Sequence, residues 1–155
     1  MSDNWKLSGC PDSGPSLAVD GDRLYAAWMS EGDNKPGIRL AYSDDGARSF
    51  TKPMIASGNV LYPNHPSLSI ADDGKVLLAF QGRNPEKGKG WGPLTPYLVE
   101  VGKSGIATQP IAIPGNQGSA SYPVVLAGSA GRIYVAWTET TDQGSRIVFS
   151  RGRRQ

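Results

Sequence analysis

The chain has one histidine and one cysteine, His65 and Cys10, too few for a metal cluster of recognisable spacing. His65 lies in Asn64-His65-Pro66, where it is a ligand contact, a pH-sensitive group or simply a turn residue. Cys10 stands beside Pro11 with no cationic neighbour in sequence to lower its pKa. Residues 81–95 hold more recognition chemistry. Arg83 can grip a carboxylate with two parallel hydrogen bonds, and Trp91 can stack on a sugar ring or cap its own loop. Tyr62 and Tyr122 each precede a proline, Pro63 and Pro123. These are residues for binding, and what matters next is which elements hold them.

Those elements are strands. The 155 residues include 20 glycines and 12 prolines, about a fifth of the chain, with no collagen-like period. Good helix formers never run for 12 residues without an interruption. Many short strands joined by turns follow, so the chain is all-β.

The chain also repeats. Pro15, Pro66 and Pro123 each open a short apolar strand, a turn with Gly or Asp and a basic residue, and a second apolar strand closing on Trp28, Phe80 or Trp137. The prolines are spaced by 51 and 57 residues and the aromatics by 52 and 57, which suits four-stranded propeller blades. Blades are expected over approximately 10–58, 59–115 and 116–155 plus 1–9, within one repeat domain, 1–155. Third strands fall at 38–42, 97–101 and 146–149, and fourth strands around 54–56 and 111–113. The last unit has no fourth strand of its own. Trp5 to Gly9 lines up with Phe50 to Gly58, so the N-terminal strand is expected to complete the last blade and remove an exposed edge.

Composition excludes several classes. Sixteen basic and 14 acidic residues leave a net charge of +2, and charged residues are 19% of the chain, which gives no case for nucleic acid. The longest apolar runs, 76–80 and 124–127, are far short of the roughly 20 residues that span a bilayer, so no membrane partner is expected. The first nine residues are polar and carry no leader-like apolar run. One cysteine implies no internal disulfide and no particular compartment. Arg151 to Arg154 reads as a solvated tail.

One motif narrows the fold. Ser43-Asp44-Asp45-Gly46-Ala47-Arg48-Ser49-Phe50 fits Ser-x-Asp-x-Gly-x-x-aromatic. In such a turn the Asp45 carboxylate accepts backbone N–H groups, Ser43 adds a local bond, Gly46 takes a positive φ, and Phe50 folds onto the sheet. The motif resembles the Asp-box, or BNR repeat, of sialidase-like β-propellers. Ser150-Arg151-Gly152 starts like a degenerate copy without its Asp.

The resemblance implies six blades, so three make half a ring with two raw edges, either part of a longer chain or completed head to tail by a second copy. It also implies a turn far from the functional face and a family often secreted or periplasmic. The family's catalytic set begins with an Arg-Ile-Pro motif that is absent here. Of the nine arginines only Arg83 falls clearly in a loop of the binding face, with Arg39 and Arg146 on outer strands. A twofold ring would also duplicate an asymmetric site. The expectation is therefore a non-catalytic homodimeric binding module for carbohydrate. Candidate contacts are Trp91, Arg83, His65, Tyr62 and Tyr122, with no catalytic residue, metal or cofactor. The rivals are a sialidase or glycosidase fragment and a protein-interaction scaffold.

Overall fold

The computed structural model describes residues 4–6, 12–87, 92–102, 105 and 107–154. Blade 1 comprises β1 (Ser16–Asp20), β2 (Arg23–Ser30), β3 (Gly37–Ser43) and β4 (Met54–Ile55). Blade 2 comprises β5 (Leu61–Ile70), β6 (Val76–Arg83), β7 (Thr95–Val101) and β8 (Ile111–Ala112). Blade 3 comprises β9 (Ser119–Ala127), β10 (Arg132–Thr141) and β11 (Gly144–Arg153). Each is an antiparallel sheet with its strands in sequence order, four, four and three among the described residues. The architecture is all-β and built of propeller-like blades.

Strand alternation assigns each blade two faces. Tyr25, Ala27, Ile38 and Leu40 of blade 1 pack against Val76, Leu78, Phe80, Tyr97 and Val99 of blade 2. The opposite face of blade 2, with Leu77, Ala79 and the adjoining Leu98, packs against Val125, Ile133, Val135 and Trp137 of blade 3. Blade 2 is thus covered on both sides. The unbroken apolar run Val76-Leu77-Leu78-Ala79-Phe80 exists for that reason, each residue being 0% exposed. Full burial of each larger side chain contributes about 1.5–3 kcal/mol.

Serines index the two joints. Ser16 Oγ accepts from Leu68 N–H at 3.0 Å, and Ser67 Oγ, its repeat equivalent, accepts from Val125 N–H at 3.2 Å. Ser69 Oγ adds a bond from Ala127 N–H at 2.9 Å. These bonds cross between the innermost strands, whose free edges would otherwise leave N–H groups unpaired.

Four expectations need correction. Strands β5 and β9 begin at Leu61 and Ser119, several residues ahead of Pro66 and Pro123, where the sequence places their starts. The degenerate turn motif at Ser150 to Gly152 is the continuation of β11, paired to Val135, Tyr134 and Ile133. Arg154 is not a solvated tail. Its side chain is 13% exposed and donates to Glu100 Oε2 at 2.6 Å and to both oxygens of Asp73, pinning blade 3 to blade 2. The hydrogen bonds from Arg154 hold the Asp73 carboxyl down at about 2. Asn4, Trp5 and Lys6 form no strand and lie beside Glu31, Asp33 and Pro36 of blade 1. The rest of the proposed N-terminal strand, 7–9, lies outside the described residues.

Candidate functional site

The site is built where the strands of blades 1 and 2 enter and leave one end of the molecule. Two bulges shape it. The β5 ladder slips around Asn64, and the β9 ladder slips opposite Ala136 to Thr138. Three bulky residues there take a left-handed backbone, Tyr62 (φ 50°), His65 (φ 51°) and Tyr122 (φ 55°), each directly before a proline. Proline disfavours the right-handed helical region for the residue before it, and a bulge re-aims the side chain out of strict alternation. Such conformations cost on the order of 1–3 kcal/mol and persist where surrounding bonds impose them. Here His65 N–H donates to Ser13 Oγ at 3.1 Å and Asn64 Oδ1 at 3.0 Å, and Tyr122 N–H donates to Gln81 Oε1 at 2.7 Å.

The bulges bring the candidate residues together in two pairs. The His65 and Tyr122 rings, repeat equivalents from neighbouring blades, lie 4.4 Å apart at 55°. His65 is largely buried, which pushes its pKa below the usual value, with Asp12 pulling the other way from 3.9 Å. It is therefore neutral at pH 7. Arg83 forms the second pair, its guanidinium 5.0 Å from the centre of the Tyr62 ring. Arg83 Nε also donates to Gly92 O at 2.8 Å, so one edge of the guanidinium is committed to the chain's own loop. Trp91 lies outside the described residues.

Tyr62, 62% exposed, walls a cleft of about 810 Å³ between blades 1 and 2. Met29, Pro36, Val60, Leu61 and Pro85 make the cleft mostly apolar, and Glu31, Asn59 and Asn64 supply its polar groups. An apolar wall with an exposed aromatic ring and a few amide and carboxylate groups suits a sugar, which has an apolar face and a hydroxyl rim.

Two arginines that the sequence places at the periphery turn out to build this end of the molecule. Arg39, buried at 9% exposure, donates to Gly32 O at 2.9 Å and Lys35 O at 3.1 Å, holding the β2–β3 loop over the cleft. Glu139, 0% exposed, was not singled out from sequence. It accepts from Gln117 N–H at 2.6 Å, Gly118 N–H at 3.3 Å, and Arg146 Nε and Nη2 at 2.9 and 2.7 Å. The Gln117 N–H bond and the Arg146 cation hold its pKa below the ordinary carboxyl value against burial. The signal was present: Glu139 continues the inward series Ile133, Val135, Trp137, and a carboxylate at such a position requires partners.

The turn over 43–50 has the bonds its residue types imply. Asp45 Oδ1 accepts from Ser49 N–H at 2.9 Å and from Ser43 Oγ at 2.8 Å, and Ser43 Oγ accepts from Ala47 N–H at 2.9 Å. Gly46 has φ 72°, and Phe50 is half-buried. Hydrogen bonds from Ser49 and Ser43 lower the Asp45 pKa to about 2.

No protein-family model matches the chain, and no curated protein matches it. Solved structures do. A thermostable family-43 glycoside hydrolase superposes with a TM-score of 0.62 at 14% identity, over 90% of this chain and 50% of that one. The likeness is one of fold. A protein of unknown function from Dyadobacter fermentans gives 0.63 at 18% identity, covering 89% of this chain and 50% of that one. The Hadza microbial sialidase Hz136 gives 0.58 at 15% identity, covering 90% and 30%. The chain spans half or less of the length of each of these neighbours.

Proposed function

We propose that this chain is a carbohydrate-binding propeller module whose ligand lies in the cleft between blades 1 and 2. The observation that carries the reading is the exposed Tyr62 ring walling a mostly apolar cleft that also holds Glu31, Asn59 and Asn64. Tyr62 is the stacking platform, held in place by the Arg83 guanidinium at 5.0 Å. Trp91, on the segment that joins Pro85 to Gly92, is assigned as a further contact, and His65 and Tyr122 as the neighbouring wall. The glycoside-processing neighbours support carbohydrate as the ligand class by analogy of fold, and the 43–50 turn is read as a sialidase-like Asp-box. We read the three blades as half of a six-bladed ring.

Hydrolysis is the second reading, favoured by the same neighbours and by Glu31. Most glycosidases act with two carboxyl groups about 5–10 Å apart. Among the described residues lining this cleft Glu31 is the only carboxylate, which is why binding is preferred. A glycan array followed by titration calorimetry tests it. Tyr62→Ala is expected to weaken binding by at least tenfold. Release of a fluorophore from aryl glycosides, abolished by Glu31→Gln, would replace binding with hydrolysis.

A further inference from the structure

The two terminal blades each leave one apolar face uncovered. On blade 3, Val124 (59% exposed), Leu126 (61%), Tyr134 (39%), Ile147 (62%) and Phe149 (78%) share one face. The registers show it: Val124 pairs with Ala136 and Leu126 with Tyr134, while Phe149 pairs with Ala136 and Ile147 with Thr138. On blade 1, Leu17 and Val19, both 61% exposed, pair with Ala26 and Leu24 on the face turned away from blade 2. Monomeric surfaces seldom carry contiguous apolar faces of this kind, and those that exist mark contacts.

The internal joints state what each face fits. Phe149 stands opposite Ala136 in the register where Leu40 stands opposite Ala27 and Leu98 opposite Ala79. Both of those leucines pack against the next blade in order. Ile147 likewise takes the place of Ile38, which is 0% exposed in the joint between blades 1 and 2. On the other side Leu17 and Val19 take the places of Leu68 and Ile70, which pack against the preceding blade. The open face of blade 3 therefore has the form of a surface that receives a following blade, and that of blade 1 the form of one that receives a preceding blade. They are complementary halves of one joint, at opposite ends of the chain.

We infer that the open face of blade 3 docks on the open face of blade 1 in a second copy of this chain, and the reverse, so that two copies close a six-bladed ring. Three observations favour a second copy. Each copy carries both complementary halves, as a closed head-to-tail contact requires. The 90% of the chain that superposes accounts for half of the hydrolase chain, so two copies match its extent. At two inner-strand positions the closing joint is also more apolar than the joint between blades 2 and 3, in the direction of obligate homodimer contacts. Val124 and Leu126 stand where Ser67 and Ser69 accept backbone N–H bonds, so this seam closes on side-chain packing without the serine bonds. Among the described residues no strand pairs with the outer edge of β11.

The test is the solution mass of the full chain by light scattering on a sizing column. The expected species has twice the 16.5 kDa chain mass. Phe149→Asp and Leu17→Asp, at 78% and 61% exposed positions, are each expected to give a folded monomer by circular dichroism. An equimolar mixture of the two variants recovers the dimer through the one joint left intact, with at least tenfold weaker association than wild type. The inference rests on the half-ring reading, and the two fail separately. A wild-type monomer overturns the second copy, and a dimer indifferent to both substitutions overturns the ring geometry. Open-ended polymers overturn closure.

Discussion

Glu139 shows how a buried charge is kept. Four donors converge on its carboxylate, two from the backbone before β9 and two from Arg146, which itself is 58% exposed. The two partners are therefore unequal. Glu139→Leu strands the Gln117 and Gly118 N–H groups, while the exposed Arg146 guanidinium keeps Gln117 Oε1 and water; Arg146→Leu leaves the carboxylate its backbone donors. Denaturant midpoints are expected to fall more for Glu139→Leu than for Arg146→Leu, and equal losses would contradict this. His65 makes a pH prediction. Its folded pKa lies below the unfolded value of about 6.5, so the unfolded chain binds the proton more readily. Stability is complete above that pH and is lost as pH falls through 6.5 toward the folded pKa. Titrating stability between pH 8 and 5 in wild type and His65→Phe reads the difference, which shrinks in the variant. The 43–50 turn was legible because its chemistry is local. Ser43→Ala removes bonds at a 2% exposed site and is expected to cost about 1–2 kcal/mol by denaturant unfolding. The left-handed backbones of His65 and Tyr122 were not legible, because there the positive φ is held by N–H bonds donated to Ser13 and Gln81, remote in sequence.

Among the elements, β6 carries the most weight. It alternates sides between two joints, Leu78 toward blade 1 and Leu77 toward blade 3, so no face is free to relax. Leu78→Ala is expected to lose about 2–5 kcal/mol by denaturant unfolding. A cost under about 1 kcal/mol would mean that the joint collapses around the cavity. At the end of the same strand Gly82 faces Val60 Cγ1, with Leu61 O 3.1 Å from where a Cβ would stand. Gly82→Ala should therefore overpack the base of the cleft and lower stability, and, if the cleft takes a sugar as proposed, weaken its binding as well. The strand order was readable because Pro15, Pro66 and Pro123 mark equivalent starts, and strict alternation marks β10. The early starts of β5 and β9 were hidden by prolines, which count against a strand interior unless a bulge receives them. The reach of β11 was hidden for another reason. Arg151 and Arg153 look like a charged tail until their partners on β10, Tyr134 and Arg132, are known.

At the scale of the whole molecule the ring inference has a thermodynamic signature. If folding and closure are coupled, the melting temperature rises with protein concentration, whereas a self-sufficient half-propeller melts at one temperature throughout. Scanning calorimetry over a hundredfold concentration range separates the two. The seam at Val124 and Leu126 adds a consequence in a different variable. Apolar association weakens on cooling, because its driving force near room temperature is almost entirely entropic. The internal joints add serine-to-backbone bonds to that force, at Ser16, Ser67 and Ser69. In the inferred closing seam side-chain packing takes their place. If two copies close the ring as inferred, chilling more than mild warming opens it into its halves, and a preparation stored cold would hold the dissociated form.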